Sequence, residues 1–179
     1  MKSFWYGKNQ SGYRKFHSCE TSNIQMYDSI LKDVDSGNVV VLLLLDMSAA
    51  FDTVDHSILL NMLVNNYGIT EDVHKWFASY LENRTYCVNV RNAFSDFICA
   101  LFGVPQGSIL GPILFIMYTK HLEHIALSHN LNIKLYADDS QLYLSFTPNG
   151  DDYSMFSDKV NACMSDIKSW VELQFFKIE

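Results

Sequence analysis

Positive charge is scarce in this chain, and the scarcity limits what it can grip. Thirteen Lys and Arg face twenty Asp and Glu, giving a net charge of −7 with only 18% charged residues. A protein that binds nucleic acid over a broad face usually carries a basic patch. Here the only local basic excess is in residues 1–20, with Lys2, Lys8, Arg14 and Lys15 against Glu20. Cysteine is equally sparse. Cys19, Cys87, Cys99 and Cys163 are scattered without any Cys-x-x-Cys, which argues against a zinc ribbon or a disulfide framework and for a reduced intracellular chain, nuclear or cytoplasmic. Long apolar runs are missing too. The longest, Val39 to Leu45, is far too short to span a bilayer, and Met1-Lys2-Ser3-Phe4-Trp5-Tyr6 leads into polar residues instead of a signal-peptide core. No membrane partner is expected. There is no internal repeat, no low-complexity tract and no linker. What remains is a globular composition, 49% apolar and 14% aromatic over 179 residues, enough to bury a core as one domain.

The apolar pattern resolves into elements. Residues 1–21 read as irregular and polar. The spacing predicts a helix over 22–36, capped by Ser22, with Ile24, Tyr27, Ile30, Leu31 and Val34 on one stripe. Gly37-Asn38 ends it, and Val39–Leu45 then reads as a central strand buried on both faces. Residues after Asp46 turn into a helix carrying Ile58, Leu59, Met62 and Leu63, closed by Gly68. Thr70 caps the next, in which Val73, Trp76, Phe77, Tyr80 and Leu81 form a core-facing stripe. Residues 84–102 suggest a hairpin. Gly103 to Gly107 is a Gly/Pro loop, and Gly111-Pro112 opens an apolar helix. A second hairpin pairs Ile133-Lys134-Leu135-Tyr136 with Gln141 to Phe146, and Asp138-Asp139 lies at its turn. A last helix over about 156–173 lines up Val160, Cys163, Met164, Ile167, Trp170 and Val171. The fold class is α+β, a few-stranded sheet with helices against it.

Three aspartates carry the chemistry. Asp46 follows seven apolar residues, where a charge is costly to bury unless it is paired or bound to metal. Asp138 and Asp139 sit together at a turn, where like charges repel and a divalent cation relieves the repulsion. Simple turn polarity is the plainer account of that pair. If the two strands are neighbours, three carboxylates gather at one place. Such oxygen ligands suit Mg²⁺, and a pair of ions suits phosphoryl or nucleotidyl transfer. The loop from Gly103 to Gly111 can approach a ligand closely, and Gln106 can hydrogen-bond a base or sugar; a plain helix-entry loop would use the same residues. Phe51 could pack against a sugar or simply join the core. Asp52 and Asp55 read as helix-start charges. Arg14, Lys15 and Arg84 could meet phosphates or remain solvated. His121 and His124, at i and i+3, read as a solvated helix face.

Four stretches taken together resemble a known family. They are Ser11-Gly12-Tyr13-Arg14-Lys15, Leu44 to His56, Gly103 to Pro112, and Tyr136-Ala137-Asp138-Asp139. In this order and spacing they resemble the reverse transcriptase domain of non-LTR, LINE-type (jockey-like) retrotransposons. The resemblance implies a right-hand polymerase palm with partial fingers, and a partial reverse transcriptase domain over 1–179 that lacks the thumb and the endonuclease. It implies RNA-directed DNA polymerase activity: nucleotidyl transfer of dNTPs onto a DNA primer 3′-OH along an RNA template. Two Mg²⁺ ions, with Mn²⁺ able to substitute, would be held by Asp46, Asp138 and Asp139. Phe51 matches the residue that excludes a ribose 2′-OH, Gln106 and Gly107 match the loop beside nucleotide and template, and Arg14 lies in the stretch facing the triphosphate. The chain departs from the family at Tyr86, where Gln is usual after Arg-Thr, and at Phe16-His17-Ser18-Cys19-Glu20. The alternative is a truncated retrotransposon relic without independent activity.

Overall fold

The computed structural model describes residues 6–47, 51–148 and 152–174. Its contacts divide into two compact units, one of Met1–Ser48 with Thr119–Leu173 and the other of Ala49–Tyr118 with Gln174–Glu179.

The first unit is built on an antiparallel hairpin. Strand β6 (Asn132–Tyr136) returns as β7 (Asp139–Phe146) through Ala137 and Asp138. A two-residue connection of this kind needs positive φ at its first position, and Ala137 supplies it at φ +57°. Strand β1 (Val39–Leu45) pairs antiparallel with β7, so the sheet order is β1-β7-β6. This corrects the expectation of a central, doubly buried β1. The run forms an edge strand, and the central place belongs to β7. Leu44 is 70% exposed, because an apolar run is buried on both faces only where neighbours cover both. Register puts Leu45, Ser140 and Leu135 on one face with Leu43, Leu142 and Ile133. That face is the core side: Ile133, Leu135, Ser140 and Leu142 are all buried.

Helix α1 (Cys19–Asp35) starts earlier than predicted. Its cap is Ser18, in a reciprocal capping box with Thr21, and Ser22 is a buried residue inside the helix. It runs beside β1 and β6. Ile24, Tyr27, Leu31 and Val34 of the predicted stripe are exposed among the described residues, Ile24 at 67%. Helix α5 (Asp152–Gln174) keeps its predicted face, with Cys163, Ile167 and Trp170 buried.

The second unit holds α2 (His56–Tyr67) and α3 (Glu71–Leu81), which pack on each other. Asp55 caps α2 by accepting from the Ile58 amide at 2.9 Å, and Gly68 ends it at φ +65°. Thr70 occupies the N-cap position of α3 without a side-chain cap bond. On α3 the expected core stripe is only partly buried. Leu81 is inside, whereas Trp76 is 52% exposed and stacks on Tyr80 at 5.8 Å. The 84–102 stretch forms the expected hairpin as two nested ladders, β2 (Thr85–Tyr86) with β5 (Ile98–Cys99) and β3 (Asn89–Val90) with β4 (Ala93–Phe94). Helix α4 (Gly111–Ser128) is longer than its apolar start suggested. Its Gly111–Tyr118 part belongs to this unit, where Leu114 to Tyr118 are all buried. The Tyr67 hydroxyl donates to the Met117 carbonyl at 2.8 Å, and the Tyr118 hydroxyl donates to the Gln174 carbonyl. Burial pushes both phenols well above their ordinary range.

Candidate active site

The hairpin turn fixes two of the three aspartates. Asp138 is the second turn residue, half-buried, and Asp139 opens β7, exposed. Asp46 directly follows Leu45, which pairs with Ser140. The ladder ends at that pair, so Asp46 lies one residue past the end of β1, beside the start of β7 at Asp139. Side chains alternate along a strand, so Asp139, in β7, faces opposite to the buried Ser140. The three carboxylates therefore stand at one end of the sheet. Asp46 is exposed, so the expected cost of a buried charge does not arise there. Among the described residues none of the three is engaged in an ion pair.

Their chemistry fits a hard divalent cation, which takes oxygen ligands. Among the described residues, however, no three Asp, Glu, His or Cys side chains converge closely enough to hold a metal ion. What the backbone does is bring the three aspartates to one end of the sheet.

Residues 9–14 wrap this turn, an ordered strap where residues 1–21 are expected to be irregular. The Ser11 amide donates to the Leu135 carbonyl at 2.8 Å and the Leu135 amide to the Asn9 carbonyl at 3.0 Å, so Gln10 bridges β6 in parallel. Gln10 itself is buried, and its side chain bonds the backbone of Ala137. Gly12 lies so close that a Cβ there would stand 2.4 Å from the Ala137 nitrogen. The Tyr13 phenol is raised above its ordinary value, by partial burial first and then by the charges of Asp138 and Tyr136. Arg14 donates from Nη1 to the Gln10 carbonyl at 2.9 Å and lies over the Tyr6 ring. Nothing in the local sequence signals the wrap except Gln10 and Gly12 close together in a polar stretch.

The second unit carries the other predicted residues. Phe51 stacks on Phe115 with centroids 4.1 Å apart. Gln106 is exposed and donates from Nε2 to both oxygens of Asp52, at 3.2 and 3.3 Å. Asp52 is therefore a partner of the loop, not the helix-start charge expected. His56 Nε2 lies 2.6 Å from the Gly103 carbonyl and holds the other end of the same loop. Gly103 has φ +85° and sits against the Asp52 backbone, so only glycine fits there. Gly107 takes φ +78° in open space. Asp52, His56, Arg84, Tyr86, Phe102 and Gln106 border a cleft of ≈ 710 Å³. Arg84 donates from Nε to the Tyr80 carbonyl at 2.6 Å and lies over the Tyr80 ring, which closes the end of α3. His121 and His124 are exposed, as expected, with rings 5.7 Å apart.

The frame is a mixed helix-and-sheet one, in which a hairpin bearing two aspartates pairs with a strand that a third aspartate follows. The fold is similar to that of apo telomerase from Candida tropicalis truncated from its C-terminal domain, with a TM-score of 0.55 and 16% identity over 86% of this chain and 32% of that one. Residues 5–179 match the family model of reverse transcriptase (RNA-dependent DNA polymerase), and the chain belongs to that family. Among its relatives in Drosophila melanogaster, the probable RNA-directed DNA polymerase from transposon BS is 33% identical over 147 residues. The one from transposon X-element is 31% identical over 134, and the RNA-directed DNA polymerase from mobile element jockey is 29% identical over 138. These alignments cover 76%, 74% and 74% of this chain, which spans only 16%, 14% and 15% of the relatives' lengths.

Proposed function

We propose that this chain is the palm, with part of the fingers, of an RNA-directed DNA polymerase of a non-LTR retrotransposon. The observation that carries the reading is the sheet register, which brings Asp46 to the end of the sheet that bears Asp138 and Asp139. The reaction is attack of a primer 3′-OH on the α-phosphate of a dNTP, with release of pyrophosphate, directed by an RNA template. Asp46, Asp138 and Asp139 are the proposed ligands for two Mg²⁺ ions, or Mn²⁺ in their place. When bound, such ions lower the pKa of the attacking hydroxyl and stabilise the leaving oxygen. The protein's own part is to present hard oxygen donors from rigid backbone at fixed spacing. In the other unit, Phe51 is the proposed selector against a ribose 2′-OH, and Gln106 and Gly107 are proposed nucleotide- and template-binding residues. Arg14 is proposed to serve the triphosphate, a role it would share with its bond to the Gln10 carbonyl.

Primer extension on an RNA template with Mg²⁺, using the chain and its Asp138→Ala variant, tests this. Extension that the substitution abolishes supports the reading. Equal extension by both sinks the assignment of Asp138.

A further inference from the structure

Ala137 is an alanine in a conformation that suits glycine. Its φ of +57° costs a non-glycine residue about 1–2 kcal/mol. Something must hold it there, because this residue sets the direction in which Asp138 leaves the hairpin. Among the described residues, one side chain bonds the Ala137 backbone, that of Gln10. Gln10 is 2% exposed, and its amide meets both polar groups of the Ala137 backbone. Nε2 donates to the Ala137 carbonyl at 3.1 Å, while Oε1 accepts from the Ala137 amide at 3.0 Å and the Gly12 amide at 2.7 Å. Two donors converge on one oxygen, so the amide has one orientation; reversing it would set an NH₂ against two N–H groups.

We propose that Gln10 is a positioning residue for the Asp138–Asp139 turn: its amide clasps the Ala137 backbone and fixes where Asp138 stands. This rests on reading those aspartates as the reactive carboxylates. The clasp is itself anchored on both sides. Before it, the Asn9 amide donates to Oε1 of the buried Glu123 at 3.1 Å. After it, Ser11 is tied to Leu135, and Arg14 returns to the Gln10 carbonyl. Gln10 therefore cannot follow the turn if the turn moves; it restrains it. Few side chains could replace it. An apolar residue of equal length strands two amides and a carbonyl without partners. A glutamate carboxylate still accepts from both amides but turns lone pairs on the Ala137 carbonyl and adds a negative charge beside Asp138. Protonation of that carboxyl restores a donor.

The test uses the 179-residue chain and its Gln10→Glu and Gln10→Met variants, read by ¹⁵N-resolved amide exchange and by primer extension. In the parent, the Ala137 amide should exchange as slowly as amides in the middle of β7. In Gln10→Glu near pH 8 its protection relative to Leu142 should fall about tenfold, and acidification to about pH 5, toward the carboxyl range, should narrow that gap. Gln10→Met should lose the protection at every pH. In extension assays kcat should fall about 10- to 100-fold, the scale of a small displacement of a reactive group, with the dNTP KM within about twofold, since uniform binding is untouched. A fast-exchanging Ala137 amide in the parent overturns the clasp whatever the variants do. Unchanged Ala137 protection in both variants overturns it as well. A clasp seen by exchange, with parent kcat equal to that of Gln10→Glu near pH 8 and extension abolished by Asp138→Ala, removes the positioning role and leaves the proposed activity standing. A parent that extends as its Asp138→Ala variant does removes the reading of the carboxylates, and the positioning role that rests on it.

Discussion

Gly12 is the position where a single methyl group should matter most. A Cβ there would stand 2.4 Å from the Ala137 nitrogen, 2.9 Å from its Cα and 3.0 Å from Gln10 Oε1. Comfortable carbon contacts lie near 3.5–4.0 Å, so the strap and the turn must separate by about 1 Å. The obstacle is backbone, and backbone bound to Gln10 cannot rotate away. Overpacking of this kind costs about 1–3 kcal/mol. The shift also lengthens the hydrogen bonds from the Gly12 and Ala137 amides to Gln10, now 2.7 and 3.0 Å, each worth about 1 kcal/mol net. Together Gly12→Ala should destabilise by about 2–4 kcal/mol, which for a chain of this size lowers Tm by roughly 5–15 °C. Gly37 supplies the comparison. Its φ is +82° with nothing within 4 Å, so Gly37→Ala should cost only the conformational term, about 1–2 kcal/mol. Urea unfolding followed by tryptophan fluorescence, to which the buried Trp170 contributes, measures both. If Gly12→Ala unfolds within about 0.5 kcal/mol of the parent, or costs no more than Gly37→Ala, the close packing of the strap on the turn is refuted.

Two substitutions in the sheet should behave oppositely. Leu44→Lys on exposed edge strand β1 should stay within about 0.5 kcal/mol of the parent, whereas Leu142→Ala at the buried centre of β7 should cost about 2–5 kcal/mol; equal losses in urea titrations would contradict the observed strand order. Ser140 presents another case. Among the described residues its buried Oγ has no hydrogen-bond partner, so Ser140→Ala should be neutral or stabilise by about 1 kcal/mol, and a clear loss in calorimetry would point to a partner for the hydroxyl. His121 should make stability depend on pH. The His121 side chain is exposed, but partial desolvation first, then the neighbouring His124, holds its pKa below the ordinary value. The unfolded chain then binds the proton more readily, so stability should fall as pH drops through about 6.5, the unfolded value, toward the lower folded one. His121→Gln should flatten that part of the pH–stability curve.

Much of the local structure was legible because it is written within a few residues. Asp55 before His56 and Gly68 after Tyr67 mark the ends of α2, since caps and left-handed stops act on their own turn. The Asp138-Asp139 hairpin followed from two short strands about a turn, and the α5 stripe from its period. The α1 stripe showed where that logic stops. Periodicity identifies an apolar face but not what covers it, and Ile24 and Tyr27 remain exposed among the described residues. The cap of α1 was misread by four residues because Ser18 and Ser22 both satisfy the same local rule.

Local sequence marked which residues could carry the chemistry. It placed Asp46 at the end of an apolar run, Asp138 and Asp139 in a turn, and Gln106 in a glycine loop, because propensity and side-chain chemistry are properties of the residues themselves. Tertiary structure alone decided the rest. It made β7 central and β1 an edge, paired Leu45 with Ser140, and turned Asp52 toward Gln106. It also laid Gln10 on Ala137, a contact spanning 127 positions. Strand order and long-range hydrogen bonds depend on which surfaces meet when the chain closes, and no window of neighbouring residues contains that information.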